Sequence, residues 1–270
     1  MLDRTTETVT AAAITLQAGD LHDAFARTRH AMSREQTRYY LAGVYIHLSP
    51  DWRTLNFVAT DGHRLAHVRV PLSAPAQFAP VLVKADFVVD AIKLLGRKSQ
   101  HLLSATLRIA PRAVSVTNWE GERIETEPVE CSYPDYARVL PHEPPARAIV
   151  VKDDLLAALE PIAGFLRPTR QKAVKLTAAG NTLTLSVTVQ SAYSNEVGGK
   201  AEAVVKLSQP VNQPYETGFN AEFLVDALRT FSNRRHRSPA VVSICGNDAG
   251  APHLIECDRH ETYVLMPMRV

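Results

Sequence analysis

The chain has 270 residues, with 30 Lys+Arg against 28 Asp+Glu (formal net charge +2), a hydrophobic fraction of 46% and a charged fraction of 21%. This balance excludes general disorder and a fibrous repeat, and the length suits two domains, each with its own core. There is no apolar run long enough to span a membrane and no secretory leader, and Cys131, Cys245 and Cys257 are too scattered for a disulfide framework or a zinc site, so the expectation is a cytoplasmic protein with free thiols, no metal and no cofactor.

A strand over about Ala13–Leu16 opens the pattern. A helix follows from Asp20 to Met32, with Asp20 as candidate cap and Leu21, Ala24, Phe25 and Met32 near one face. Period-two runs come next at Tyr40–Leu48, Leu55–Thr60 and Arg64–Val70, and Asp61-Gly62 reads as a hairpin turn. The order then recurs: strand Val81–Lys84, helix Ala85–Leu95, strands Ala105–Ile109, Ala113–Asn118 and Arg123–Val129. A third round has strand Ala148–Val151, a helix from Asp153, and strands Ala173–Leu176, Thr182–Val189 and Ala201–Leu207, with Ala179-Gly180-Asn181 as a turn. The fourth has strand Glu216–Phe219, a helix after Asn220, and strands Val241–Cys245, Leu254–Cys257 and Tyr263–Met268.

One strand–helix–strand–strand–strand unit thus occurs four times, at a period of roughly 65 residues, longer than that of a solenoid. Two units make a domain, and antiparallel strands with helices on one face give the class α+β. Pro141, Pro144 and Pro145 mark the midpoint, so the domains are expected at 1–145 and 146–270.

Enzyme signatures are missing: Gly198-Gly199-Lys200 lacks the spacing of a phosphate loop, and neither a Gly-x-Ser-x-Gly elbow nor a His-Glu-x-x-His motif occurs. His63 and His67 fall on a predicted strand, where four residues span about 13 Å, too far to share one ion. Asp61 and His63 can be drawn as an acid/base pair, but a turn beside a histidine is the simpler reading. The chain does not read as an enzyme.

Neither half carries a large excess of charge: residues 1–143 hold 16 basic and 16 acidic side chains, and residues 144–270 hold 14 and 12. The basic residues nevertheless gather in and after the helices: Arg27, Arg29 and Arg34; Lys93, Arg97 and Lys98; Arg167, Arg170 and Lys172; Arg229, Arg234, Arg235 and Arg237. Acids gather elsewhere, most densely at Glu120, Glu122, Glu125, Glu127 and Glu130. Helix dipoles account for one or two cations per helix. A shared helical surface would also attract a phosphate backbone without reading bases.

Several long segments resemble one family. Arg38–Val44 and Phe57–Ala66 look like the middle domain of the bacterial DNA polymerase III beta subunit, the replicative sliding clamp, and Tyr133–Pro141 resembles the end of that domain. Gly218–Leu228 and Tyr263–Val270 resemble its last domain. The resemblance covers the chain from about residue 10 onward and implies the DNA-clamp fold: two repeat units per domain, helices lining a ring, sheets outside. It implies a processivity factor that encircles double-stranded DNA non-specifically and binds DNA polymerase and clamp-loader subunits through short peptide motifs. Arg38, Tyr39 and Tyr40 would lie near the inner rim with the basic helices. The implied peptide pocket comprises Leu41, Thr60, Gly62, His63, Arg64, Leu65, Pro134, Arg138, Val139, Asn220, Phe223, Met266, Pro267 and Met268, with Leu65, Val139 and the methionines as an adaptable apolar floor. Arg64, Arg138 and Asn220 would hold polar parts of an extended ligand. Gln171 departs from the aromatic that the family often has nearby.

The family's first domain has no counterpart in the chain, and its three-domain protomers pair into a six-domain ring. Three copies of two domains also make six, so a head-to-tail homotrimer is expected. Its interface would use Phe165 and Leu166 on one side and an edge strand within 101–130 on the other. The alternative is a clamp-like interaction protein that binds such peptides without encircling DNA.

Overall fold

The computed structural model describes residues 11–96, 100, 102–190, 197–231, 239–258 and 260–270. Among these residues, four α-helices, α1 (Ala18–Thr28), α2 (Ala85–Leu95), α3 (Lys152–Leu166) and α4 (Ala221–Thr230), start 67, 67 and 69 residues apart. Among the described residues no helix is long and apolar enough to cross a membrane. Two compact units result, Met1–Pro134 and Asp135–Val270. The division falls ahead of the prolines, and Pro144 and Pro145 lead directly into the first strand of the second unit.

In the first unit the strands are β1 (Ala12–Gln17), β2 (Gly43–Leu48), β3 (Thr54–Thr60), β4 (Arg64–Pro71), β5 (Val81–Lys84), β6 (Ser104–Ala110), β7 (Ala113–Thr117) and β8 (Arg123–Thr126). They form two antiparallel sheets, β1-β6-β7-β8 and β4-β3-β2-β5. The repeats exchange strands. β1 leaves its own repeat to pair with β6 (Ile14 opposite Leu107), and β5 returns to pair with β2 (Val83 opposite Val44). Between the sheets α1 lies beside α2, and Phe25 meets Phe57 and Phe87 edge-on, with ring centroids 5.2 and 6.3 Å apart.

The second unit contains β9 (Ala146–Val151), β10 (Ala173–Gln190), β11 (Val197–Asn220), β12 (Val241–Cys245), β13 (His253–Asp258) and β14 (Glu261–Leu265). It makes the same exchange: β9 pairs with β12, and the end of β11 with the start of β10. Tyr263 and Phe231 pack edge-to-face in its core, 4.9 Å between centroids.

Three local expectations are corrected. Ala179-Gly180-Asn181 does not reverse the chain. The strands on either side fuse into β10, whose register with β11 slips around Gly180, where the backbone takes a positive φ of 55°. Arg38, Tyr39 and Tyr40 lie in a 3-10 segment, Gln36–Leu41, and β2 starts only at Gly43, where a side chain would strike the Val83 carbonyl. The N-cap of α1 is Gln17, not Asp20, which lies in the first turn facing the positive end of the helix dipole. No side chain caps that end. The first N–H is taken by a backbone carbonyl from the partner repeat, Ala18 N to Leu103 O at 2.7 Å, and Lys152 N to Ala240 O (2.8 Å) and Ala221 N to Lys172 O (2.9 Å) repeat the device.

Candidate functional site

On the first unit the residues expected to bind peptide surround the β3–β4 turn. Asp61 organises it: Oδ1 accepts from His63 N (2.9 Å) and Arg64 N (3.0 Å), and Oδ2 takes Arg64 Nε at 2.9 Å. Thr60 Oγ1 donates to Arg64 O (2.8 Å) and accepts from Gly62 N (3.1 Å), while Arg38 Nη1 reaches Asp61 O at 3.2 Å. Gly62 has φ +89°, a conformation that favours glycine, and a Cβ there would stand 3.0 Å from Arg38 Nη1. The turn is therefore preorganised, with Leu41 and Leu65 buried beneath it.

Both Asp61 oxygens are thus occupied by the turn and Arg64, which argues against an acid/base role with the exposed His63. His67 points away into the sheet, where its Nε2 meets Asn56 Oδ1 at 2.8 Å. Burial first, then the nearby Arg69 and His47 charges, pull its pKa down to about 3. No cluster of three metal-ligating side chains occurs among the described residues.

Pro134 is exposed at the end of the first unit. Just after it, in the second unit, Arg138 and Val139 are exposed on the short helical turn Tyr136–Val139, where Arg138 Nε pairs with Asp135 at 3.0 Å.

The second unit contributes a groove of about 580 Å³ lined by Glu216–Gly218, Ala249, Gly250 and Pro267–Val270. Met266 and Met268 are each 39% exposed and stand outside β14, which stops at Leu265. The terminal segment is tied back by Met268 N to Gly218 O at 2.8 Å. Gly218 is required: a Cβ would fall 2.4 Å from Val270 Cγ1 and 2.5 Å from Met268 O. Asn220 and Phe223 have local duties as well. Asn220 Oδ1 caps α4, accepting from Glu222 N (3.0 Å) and Phe223 N (3.4 Å). The residues from Gly246 to Gly250 were not singled out by sequence reasoning, because a Gly/Ala loop signals only a turn.

The helix faces are less uniformly basic than expected. Arg27 is 7% exposed and bound to Asp23 at 2.7 Å one turn back, so it belongs to the packing and not to a phosphate-facing surface. Lys93 pairs with Asp90 (3.1 Å), Arg229 with Glu160 (2.8 Å) and Arg167 with Glu222 (3.6 Å). Arg29 and Arg170 are exposed, as is Tyr39, which packs edge-on against Tyr40. Arg97, Lys98, Arg234 and Arg235 lie outside the described residues.

Of the two residues expected at a subunit interface, Phe165 is 39% exposed and rests against Gly199. Leu166 is 1% exposed inside the second unit, so it cannot serve as a contact. β8 forms one edge of its sheet and carries exposed acids, Glu125 on the strand and Glu127 just beyond it, and β10 forms an edge in the second unit.

The sequence matches the family description "DNA polymerase III beta subunit, central domain" over residues 15–135 and "DNA polymerase III beta subunit, C-terminal domain" over residues 137–269. It is similar to the beta sliding clamp of Caulobacter vibrioides (28% identity over 262 residues, 95% of this chain) and to that of Synechococcus elongatus (29% over 269 residues, 96%). The chain spans 66% of the length of both relatives. Among solved structures, the sliding clamp of Bartonella birtlesii bound to griselimycin aligns with a TM-score of 0.80 at 30% identity, covering 96% of this chain and 66% of that one. The Caulobacter crescentus clamp aligns with a TM-score of 0.80 at 27% identity, covering 100% and 68%.

Proposed function

The chain belongs to the DNA polymerase III beta subunit family, and from that membership we propose that it acts as a DNA sliding clamp, encircling duplex DNA and tethering DNA polymerases and clamp-loader subunits. The observation that carries this reading is the fourfold repeat with exchanged strands, coinciding with family matches to both domains. Such a protein works by topology, without turnover, and its site is the cytoplasm, where the DNA is. Exposed cations such as Arg29 and Arg170 supply weak phosphate contacts that let the duplex move, because each contact is non-specific and screened by salt. In the first unit the Thr60–Leu65 turn with Leu41 and Pro134, and in the second unit Arg138, Val139 and the Met268 groove with Asn220, Phe223, Met266 and Pro267, take the short peptide motifs of partners. Methionine at a binding surface adapts to different side chains. Griselimycin, bound by the Bartonella relative, is a ready probe of this activity.

The assembly we propose is a homotrimer, in which three copies supply six domains and close by a threefold rotation. The edges of β8 and β10 are its candidate pairing strands, with Phe165 beside the joint. Light scattering reads three times 29.7 kDa for this assembly; a stable monomer or dimer at micromolar concentration would exclude it. The pairing of Lys93, Arg167 and Arg229 with acids favours a second reading, a clamp-like protein that binds partner peptides without encircling DNA. Retention on circular DNA that disappears when the DNA is linearised supports the clamp; griselimycin binding without such retention supports the second reading.

A further inference from the structure

The β12–β13 connection, Gly246-Asn247-Asp248-Ala249-Gly250-Ala251-Pro252, makes two bonds within itself, Gly250 N to Asp248 Oδ1 at 2.8 Å and Ala251 N to Asp248 O at 3.4 Å. Other carbonyls of the loop are held from outside. Arg147, on β9, donates from Nε to Gly246 O (2.7 Å) and from Nη2 to Asn247 O (2.5 Å). Its guanidinium lies 4.7 Å from the ring centroid of Tyr215, on β11. The Tyr215 hydroxyl is 2.6 Å from Nε2 of His253, the first residue of β13. His253 Nδ1 is 2.8 Å from Ala251 O, and Thr217 Oγ1 donates to Ala249 O at 3.4 Å. Four carbonyls of one loop are thus taken by side chains from β9, β11 and β13.

His253 fixes the direction of this chain of hydrogen bonds. The Ala251 carbonyl only accepts, so Nδ1 carries the proton, Nε2 accepts, and the Tyr215 hydroxyl donates to it. The imidazole is 0% exposed and packs edge-on against Phe219, 5.0 Å between centroids. Burial lowers its pKa, so it is held neutral. Gly246 completes the fit, since a Cβ there would fall 2.4 Å from His253 Cδ2. The far side of the loop, Ala249 and Gly250, lines the groove that also holds Gly218 and Met268.

We infer that Arg147, Tyr215 and His253 are positioning residues that clamp the 246–251 loop as one wall of the Met268 groove, so that partner affinity depends on side chains outside the groove lining. This rests on the partner-binding reading of that groove. None of the three lines the groove; Arg147 and His253 bond to loop carbonyls, and Tyr215 holds His253 in place.

The test uses the full chain, Tyr215→Phe (which keeps the ring under Arg147), Arg147→Lys and, as groove control, Met268→Ala. Griselimycin binding and amide hydrogen exchange are read on each, with thermal melting as the fold control. Tyr215→Phe and Arg147→Lys are expected to weaken binding about three- to tenfold, the equivalent of one hydrogen bond. Exchange should quicken at 246–251 while the β10–β11 amides stay protected. Parental exchange in the loop with parental affinity overturns the inference. If the parent chain fails to bind griselimycin, or Met268→Ala binds as well as the parent, the partner reading of the groove falls. Loop exchange in the two variants still decides whether the three side chains hold the wall.

Discussion

Acid should loosen the first unit through His67. The imidazole is buried in the sheet against Asn56, and its pKa of about 3 means that the folded unit refuses a proton that the unfolded chain accepts near pH 6.5. The folded pKa is lowered, so stability is complete above the unfolded value and drains away as pH falls below it, continuing to about pH 3. Each unit of pH within that window is worth about 1.4 kcal/mol, so the step from pH 7.5 to 5 costs about 2 kcal/mol. Both tryptophans of the chain, Trp52 and Trp119, lie in the first unit, so urea unfolding followed by tryptophan fluorescence reads that unit selectively. The comparison is His67→Gln, which keeps an amide donor near Asn56 and removes the titration. The variant is expected to lose about 2 kcal/mol less than the parent over the same step, with His47, also lowered by burial, leaving a residual slope. Parallel pH profiles in parent and variant would refute the argument, because His67 would then not be the group refusing the proton.

Leu166→Ala should destabilise the second unit by about 2–5 kcal/mol in a thermal or urea melt, as a fully buried leucine does, while Phe165→Ala should leave the melt nearly unchanged and lower the assembly mass in light scattering. Gly218→Ala places a methyl group against Val270 and the Met268 carbonyl; the terminal segment should lift from β11 and griselimycin binding should fall, with little change in core stability by circular dichroism. Arg29→Ala and Arg170→Ala should each reduce the slope of log affinity for duplex DNA against log salt by about one, whereas Arg27→Ala should leave the slope alone and lower the melting temperature, because its charge is spent on Asp23.

The repeat was legible because helical and alternating periodicities change places in a fixed order. α2 begins and ends where the apolar spacing of Phe87, Val88, Ala91 and Leu95 says it should. The start of α1 was not legible, since its first N–H is satisfied by the Leu103 carbonyl, a partner 85 residues away that no local motif announces. Ala179-Gly180-Asn181 misled because a glycine at positive φ serves a turn and a strand irregularity equally well. Arg27 was misassigned for a related reason: helical spacing says that a residue is on the helix, but its i, i+4 partner Asp23 decides whether the charge meets solvent. The turn proposed to bind peptides was carried by resemblance, and only the geometry reveals Asp61 as its organiser. The 246–251 loop escaped altogether, because the side chains that take its carbonyls come from β9, β11 and β13.

The exchange of β1 and β5 between repeats also sets a timetable for synthesis. Ile14 leaves the ribosome 93 residues ahead of its partner Leu107. At about 5–20 residues per second, β1 waits roughly 5–20 s with its pairing edge open. A single repeat released at that stage is not a small clamp domain but an incomplete one, short of the strand that its second half must return. Chains stalled or cleaved between residues 71 and 104 would therefore be recognised by chaperones and proteases as unfinished, and nascent-chain proteolysis would see protection of the first helix appear only after β6 has emerged.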